Sequence, residues 1–262
     1  MSFSKADYQD QKVSSNFGEL LRYWRKQRGR SQLDLSLDTG VSQRHISFIE
    51  SGRSIPSRDM VLDLTDALDV PLRERNALLH AAGFAPIYVV DEWEANDMRP
   101  VIKALEQMLK QHEPHPAVVM DRYWNILMTN EGAPAFFNRF IDLSAREGPK
   151  NILHLMFDPL GMKPFVVNWE EVVSALLQRV RQETVGRVID EETKLLLKDL
   201  RKYPEVDAIA RKNYTPGQLP IIPVQFAKDG ATFSYFSMVT TVGTPQCITA
   251  QELRVETMFP AD

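Results

Sequence analysis

Residues 31–56 read SQLDLSLDTGVSQRHISFIESGRSIP, and this stretch decides the fold of the first part of the chain. Ser31 is followed three residues later by Asp34, a spacing that approximates a helix capping box and predicts a helix start. Gly40 is the residue type that a turn with positive φ favours. Ser42 is a second candidate N-cap. The stretch therefore predicts two short helices joined by a tight turn.

The second of these helices has only a narrow apolar edge. Ile46 and Ile49 are expected to pack against Leu35 and the small Ser36 of the first helix. Two helices joined in this way form a helix-turn-helix, whose second helix enters the major groove of DNA. Gln pairs with adenine, Arg with guanine, and an aromatic ring contacts the thymine methyl group. The outward-facing residues are thus the predicted base-contacting set: Gln43, Arg44, Ser47 and Phe48.

Three further helices are predicted around this pair, at FGELLRYWRKQ (17–27), RDMVLDLTDALDV (58–70) and LRERNALLHAAG (72–83). Gly29 follows the first as a C-cap glycine. Pro71 and Gly83 flank the last, the expected order of a proline at the start of a helix and a glycine after its end. Residues 17–84 therefore predict an all-α domain of five helices.

The charge distribution favours a nucleic-acid partner for this first part alone. The net charge of the 262 residues is −4, which by itself argues against one. Residues 17–58, however, hold eight Lys/Arg against four Asp/Glu, whereas residues 91–262 hold nineteen against twenty-four. A local excess of basic residues is what attracts phosphate.

Composition excludes several other classes of protein. A single cysteine rules out an internal disulfide framework and fits a reducing cytoplasm. No apolar run approaches the roughly 18 residues of a membrane span, and the N-terminus has no signal-peptide pattern. We therefore expect a cytoplasmic protein without membrane association, in which the polar residues 1–16 form a flexible tail.

After a predicted linker at 85–100, the pattern changes to mixed helix and strand. A helix is predicted near 99–112, and PAVVMDRYWNILMTN (116–130) predicts a β-hairpin. Further helices are predicted at APAFFNRFI (133–141), NILHLMF (151–157), NWEEVVSALLQRVRQE (168–183) and EETKLLLKDL (191–200). Strands follow at IIPVQFA (221–227), ATFSYFSMVTTV (231–242) and ELRVETMFP (252–260), with a turn at 228–230. Residues 101–262 therefore predict an α+β domain with a five-stranded antiparallel sheet.

Neither a metal site nor a catalytic constellation is predicted. His112 and His115 are too few for zinc, and prolines at 114 and 116 prevent a continuous helical ligand face. No nucleophile elbow, phosphate-binding loop or dinucleotide glycine motif occurs. We expect no enzymatic activity and no cofactor. Cys247 is open to two interpretations, a plain thiol or a thiol sensor.

Residues 17–83 closely resemble the Cro/repressor-like helix-turn-helix family, through SQLDLS-x3-GVSQ-x2-IS-x-IESG-x3-P at 31–56. Ser36 departs mildly from the alanine usual in that family. The resemblance implies a structural ion pair between Arg25 and Glu50. It also implies a set of residues that contact the phosphates of double-stranded DNA: Gln32, Ser42, Arg53, Ser54, Ser57 and Arg58.

The second part resembles the ligand-binding half of MmyB-like transcription regulators, which are bacterial proteins with a PAS-like C-terminal domain. The similarity is carried by DRYWNILMTN, NWEEVV, YPEV and TTVGTPQCITAQELRVETMFPAD (240–262). Cys247 stands where that family usually carries an acid. Together the two resemblances cover the chain except its first 16 residues.

A PAS-like domain implies a small, largely hydrophobic effector, such as a fatty-acid-like molecule, in a cavity between sheet and helices. Most aromatic residues of the second part are expected to fill the core. The candidate pocket residues are Arg122, Trp124, Met128, Phe136, Phe137, Phe157, Phe165, Trp169, Phe226 and Phe236. Arg122 is either an anchor for a ligand carboxylate or a solvated turn residue.

These features predict a DNA-binding transcriptional regulator, a repressor, whose C-terminal domain binds a small-molecule effector. The alternative is a C-terminal domain that serves as a ligand-free dimerisation or protein-interaction module. We expect a homodimer, because half-sites one helical turn apart match a two-fold axis. Either residues 85–112 or the C-terminal domain supplies the contact between the copies.

Overall fold

The computed structural model describes residues 16–93, 95–182, 190–212 and 223–261. Residue contacts divide the chain into two compact units, an N-terminal unit that ends at Val90 and a C-terminal unit that begins at Asp91. Parts of the sequence predictions fall outside the described residues: most of the tail at 1–16, Glu94 in the linker at 85–100, the end of the helix predicted at 168–183 and the start of the strand predicted at 221–227.

The described part of the N-terminal unit contains five helices, as the sequence predicts: α1 (Phe17–Gln27), α2 (Gln32–Thr39), α3 (Gln43–Glu50), α4 (Arg58–Ala67) and α5 (Leu72–Ala81). Their buried apolar side chains form the core, and the largest of them is Trp24 of α1. Gly18 allows α1 to approach the end of α3, since a Cβ at this position would lie 2.4 Å from the carbonyl oxygen of Ile49.

The C-terminal unit has seven α-helices and five strands among its described residues. The helices are α6 (Arg99–Gln111), α7 (Gly132–Phe137), α8 (Ile152–Phe157), α9 (Trp169–Gln182), α10 (Glu191–Leu200), α11 (Val206–Arg211) and α12 (Ile248–Glu252). The strands are β1 (Ala117–Met120), β2 (Ile126–Thr129), β3 (Val224–Lys228), β4 (Ala231–Thr240) and β5 (Arg254–Pro260). Two 3₁₀ turns, Asn96–Met98 and Lys163–Phe165, complete the unit.

The strands form one antiparallel sheet in the order β2-β1-β5-β4-β3, which confirms the predicted fold class. Two hairpins, β1–β2 and β3–β4, are joined by the last strand, which pairs with β1 on one side and β4 on the other. The β3–β4 turn has positive φ at Asp229 and Gly230, as its sequence predicts.

The two faces of the sheet carry different cores. One face packs against the helices between β2 and β3 and holds a large cluster that includes Trp124, Phe157 and Phe226. The other face packs against α6, through a smaller cluster that includes Leu105 and Val255. Because side chains alternate along a strand, neighbouring positions of β4 and β5 belong to different faces.

Two short helices differ from the sequence prediction. α11 and α12 span six and five residues, too few for an apolar repeat to show a helical period. α12 takes its N-cap from Cys247, whose thiol accepts a hydrogen bond from the backbone N–H of Ala250. The last strand consequently begins at Arg254 rather than at the predicted position 252.

The residues of the predicted linker, 85–100, are divided between the two units. Tyr88 is held to the N-terminal unit by Asn76, whose side chain accepts from its backbone N–H at 3.1 Å and donates to its carbonyl at 2.6 Å. Met98 belongs to the C-terminal unit, where it is buried in the cluster under α6 with Leu105 and Leu109.

Candidate functional site

The pair α2–α3 has the local geometry that its sequence predicts. Ser31 and Asp34 form a complete capping box at the start of α2. Gly40 ends that helix at φ 71°, in the left-handed region that favours glycine. Ser42 caps α3 by accepting from the backbone N–H of His45. The short turn between the two helices therefore depends on caps and a positive φ that few other residue types can supply.

The buried edge of α3 fixes which side of the helix faces outward. Ile46, Ile49 and Leu35 are almost completely buried between the helices. On the opposite side Gln43 and Arg44 are exposed. The Arg44 guanidinium lies 5.3 Å from the centre of the Phe48 ring, close enough for a cation–π contact. Ser47 and Phe48 are half-buried beside them. The four residues thus share one accessible strip along α3.

Glu50, the last residue of α3, connects three elements through one buried carboxylate. Arg25 of α1 donates to it from Nε at 2.6 Å and from a terminal nitrogen at 2.9 Å. Gln32 at the start of α2 donates from its amide at 2.9 Å. Arg22 adds a longer contact at 3.4 Å from Nε and also donates to the Glu50 backbone carbonyl at 2.8 Å. The side chain of Glu50 is only 1% exposed.

The electrostatics of this cluster favour the ionised carboxylate. Burial acts to raise the pKa of Glu50, but hydrogen bonds from Arg25 and Gln32, together with the charge of Arg25, outweigh it and leave the pKa below its ordinary value. The charge on Glu50 in turn raises the pKa of Arg25, mainly through their hydrogen bond. The cluster therefore ties the accessible strip of α3 to the start of α2.

The predicted phosphate-contacting residues are accessible, and several have structural roles as well. Ser42 and Ser57 cap α3 and α4 through their hydroxyl oxygens, and both are exposed. Arg53 and Arg58 are exposed, whereas Ser54 is half-buried. The hydroxyl of Ser54 lies 3.2 Å from Nε2 of His45, which joins the loop after α3 to that helix. Gln32 donates to Glu50 from its amide nitrogen, and that group has a second N–H.

Comparison with protein families agrees with this geometry. The family model described as "MmyB-like transcription regulator ligand binding domain" matches residues 101–262, more than half of the chain. The chain belongs to this family. A second family model, described as "Helix-turn-helix", matches residues 21–75. A comparison with curated protein sequences found no match.

The protein is a DNA-binding transcription regulator with a ligand-binding domain. Its helix-turn-helix comprises α2 and α3, and its ligand-binding domain comprises the sheet of the C-terminal unit and the helices packed on it. Among the described residues of the regulator, no helix is long and apolar enough to cross a membrane.

Seven of the ten predicted pocket residues come together on one face of the sheet of the regulator. Phe165 and Trp169 are half-buried and pack against the large cluster. The other five are buried within it: Trp124, Phe136, Phe137, Phe157 and Phe226. Several of the rings meet edge to face, such as Phe157 with Trp169 at 5.7 Å between centroids. The indole N–H of Trp169 is buried without a hydrogen-bond partner among the described residues.

The structure places Met128 and Phe236, two further residues of the predicted pocket set, on the opposite face of the sheet from these seven. Met128 pairs with Val119, and both pack in the cluster under α6. Phe236 pairs with Phe259, and their rings stack at 5.6 Å on the side of the sheet where α6 packs. Strand alternation separates such residues from the face that carries the large cluster, and the bulge in β1 obscures the alternation of the first hairpin.

The structure contradicts one interpretation of Arg122, that of a solvated turn residue. The side chain is buried, with one terminal nitrogen 2.7 Å from Glu252 and the other 2.6 Å from Asp190. Tyr123 donates to the same Asp190 carboxylate at 3.1 Å. Through these two carboxylates, Arg122 joins the β1–β2 turn to α10 and α12. Neither acid carries a local sequence signal for this role.

Cys247 and the two histidines have structural contacts. Burial raises the pKa of the Cys247 thiol, which favours the unreactive protonated form. The imidazole Nε2 of His112 lies 2.8 Å from the carbonyl oxygen of Met258. The His112 and His115 rings are 6.0 Å apart, and no cluster of three metal-ligating side chains occurs in the described parts of the chain.

Proposed function

We propose that the regulator contacts DNA bases with Gln43, Arg44, Ser47 and Phe48. The proposed contacts with the DNA phosphates are made by Gln32, Ser42, Arg53, Ser54, Ser57 and Arg58. The observation that carries this proposal is the accessible strip on α3, whose opposite edge is buried by Ile46 and Ile49. A helix anchored in this way presents its first turn to base edges. Neighbouring basic side chains supply the attraction to phosphate.

The experiment compares two arginine variants with equal loss of charge. A preferred duplex is first selected from random DNA with the full chain. Arg44→Ala is expected to lose about 1–3 kcal/mol of binding to the selected duplex, with little effect on a scrambled one. Arg53→Ala, the matched control, is expected to weaken binding to both duplexes alike. It is also expected to reduce the slope of log affinity against log salt concentration by about one, because one phosphate contact is lost. Identical behaviour of the two variants would overturn the assignment of base and phosphate roles.

For the C-terminal unit we infer an apolar effector, such as a fatty-acid-like molecule, bound on the face of the sheet that carries the large aromatic cluster. The aromatic cluster supports this inference, and so does the buried indole N–H of Trp169, which has no partner among the described residues. A donor in this position satisfies a polar atom of a ligand that is otherwise apolar. The effector acts by binding one state of the regulator better and so changing its affinity for DNA.

Native mass spectrometry of the purified full chain tests this inference. The expected result is a reproducible bound mass, or a rise in melting temperature when a fatty acid is added to protein stripped of ligand. Trp169→Phe retains the ring and removes the donor, and is expected to weaken binding of the same fatty acid. A regulator that never carries or responds to an apolar molecule would favour the alternative, a C-terminal unit that serves only for dimerisation or protein interaction.

Four further properties belong to the same proposal. The regulator acts as a repressor in the cytoplasm, binds as a homodimer and has no catalytic function of its own. The two-fold symmetry of paired half-sites supports the dimer. A reporter gene placed behind the selected duplex tests the sign of regulation, because a repressor lowers its transcription and an activator raises it.

A further inference from the structure

One part of the sheet in the C-terminal unit is incompletely covered by the residues that the structure describes. α6 packs against the β1 and β5 part of its own face, around Val119 and Val255. Beyond β5, the same face continues over β4 and β3. Met238 on this continuation is 57% exposed, and the neighbouring Phe236 and Phe259 are only half-buried. Large apolar side chains grouped on an accessible surface mark an interaction site more often than scattered ones do.

The strand register defines which residues share this surface. Thr240 pairs with Val255, which places the even-numbered residues of β4 on the same side as α6. The pairing of β3 with β4 then adds two residues of β3. Apart from Thr240, which pairs with Val255 of the part that α6 covers, we call the resulting set the open face: Gln225 and Ala227 of β3, Thr232, Ser234, Phe236 and Met238 of β4, and Phe259 of β5.

The open face contains no charged residue. The opposite side of the same three strands carries Lys228, Arg254 and Glu256, so the absence of charge is a property of one side only. The exposed side of the adjoining α6 is also charged, with Lys103, Glu106 and Lys110. The solvent-exposed face of an antiparallel sheet usually carries polar and charged side chains. The apolar side chains and missing charges of this surface therefore suit it to contact with another protein surface rather than with water.

We propose that the open face is the contact with a second copy of this chain. A two-fold contact brings the same patch against itself, so an uncharged patch avoids the like-charge repulsion that a patch of a single charge sign incurs. The C-terminal part as a whole is acidic, with twenty-four Asp/Glu against nineteen Lys/Arg in residues 91–262, so two copies carry net charge of the same sign.

The size of the open face determines how strong this contact is. The strand segments extend roughly 20 Å along β4 and about 14 Å across three strands. Such an area is well below that of a standard protein–protein interface, so the free dimer is expected to be weak and to depend on concentration. This inference rests on the proposed function, in which two copies bind paired DNA half-sites. Binding to neighbouring half-sites raises the effective concentration of the two copies and so favours a weak contact between them.

Sedimentation equilibrium of the full chain, from about 1 to 100 µM, tests the contact without DNA. Wild type is expected to dimerise reversibly, and Met238→Glu to raise the dimer Kd by at least tenfold. Leu195→Glu is the matched control, because Leu195 is also 57% exposed but lies on α10. Its dimer Kd is expected to match that of wild type. Ser234→Glu, on the open face, gives the same test if the Met238 variant does not fold.

The outcomes separate this inference from the proposed function. A wild type that stays monomeric at 100 µM would overturn the contact, as would folded open-face variants with the dimer Kd of wild type or a Leu195 variant that dissociates equally. On DNA, Met238→Glu is expected to bind a single half-site as wild type does and to lose cooperativity on paired half-sites. Failure of wild type to prefer any duplex would refute the proposed function, while the sedimentation result would stand.

Discussion

Replacement of Glu50 by alanine is expected to cost the N-terminal unit about 3–5 kcal/mol of stability, the range for removing one partner of a buried ion pair. Arg25 would keep its charge, with 11% of its side chain exposed, and lose its partner. Gln32 would lose its acceptor. Hydrogen exchange with mass spectrometry measures the effect locally, through faster exchange in α1, α2 and α3 and unchanged exchange in α9.

Two controls show whether the effect comes from this buried charge. Asp63→Ala removes an exposed acid from α4 and is expected to change stability by less than about 0.5 kcal/mol. Because the folded pKa of Glu50 is lowered, its ionisation stabilises the unit above the unfolded pKa of about 4.3, and this contribution is lost as pH falls through the folded value. Glu50→Gln is expected to weaken this acid dependence. Equal exchange in Glu50→Ala and wild type would refute the role.

Arg122→Met is expected to have an effect of similar size in the C-terminal unit, about 3–5 kcal/mol. The substitution leaves two carboxylates without their cation, Glu252 with 9% and Asp190 with 22% of the side chain exposed. Because these acids begin α10 and end α12, exchange is expected to accelerate first in those two helices. Local hydrogen exchange of the full chain measures this directly.

A matched control for Arg122 lies on the same unit. Lys103→Met removes an exposed positive charge from α6 and is expected to leave exchange in α10 and α12 unchanged. Arg122→Lys keeps the charge but cannot present two separate guanidinium nitrogens to two carboxylates, so an intermediate loss is expected. If Arg122→Met and Lys103→Met gave the same protection, the buried arginine would not join these elements.

Local features of the sequence predicted the N-terminal unit well because its helices depend on near neighbours. The capping box at Ser31, the positive φ of Gly40 and the cap at Ser42 all act within four residues. The Arg25–Glu50 contact came from family resemblance instead, since 25 residues separate its partners. The additional contacts of Arg22 and Gln32 with the same carboxylate have no signal in the sequence.

The C-terminal unit was predicted in its elements but not in their assembly. Strand patterns indicated five strands, yet they carry no information on the placement of β5 between the two hairpins. That placement decides which residues share a face, and it separates Phe236 from Phe226. Arg122 shows the same limit, because its partner Glu252 lies 130 residues away. Long-range pairing of this kind follows from tertiary packing rather than from local pattern.

The central claim, that α3 reads base sequence, is tested most directly by the ratio of affinities for the selected and the scrambled duplex at one salt concentration. For wild type this ratio is expected to be about 10³ or more. Arg44→Ala is expected to lower it about tenfold, and Arg53→Ala to leave it unchanged. A wild-type ratio near one, or a ratio that Arg44→Ala leaves intact, would contradict the account.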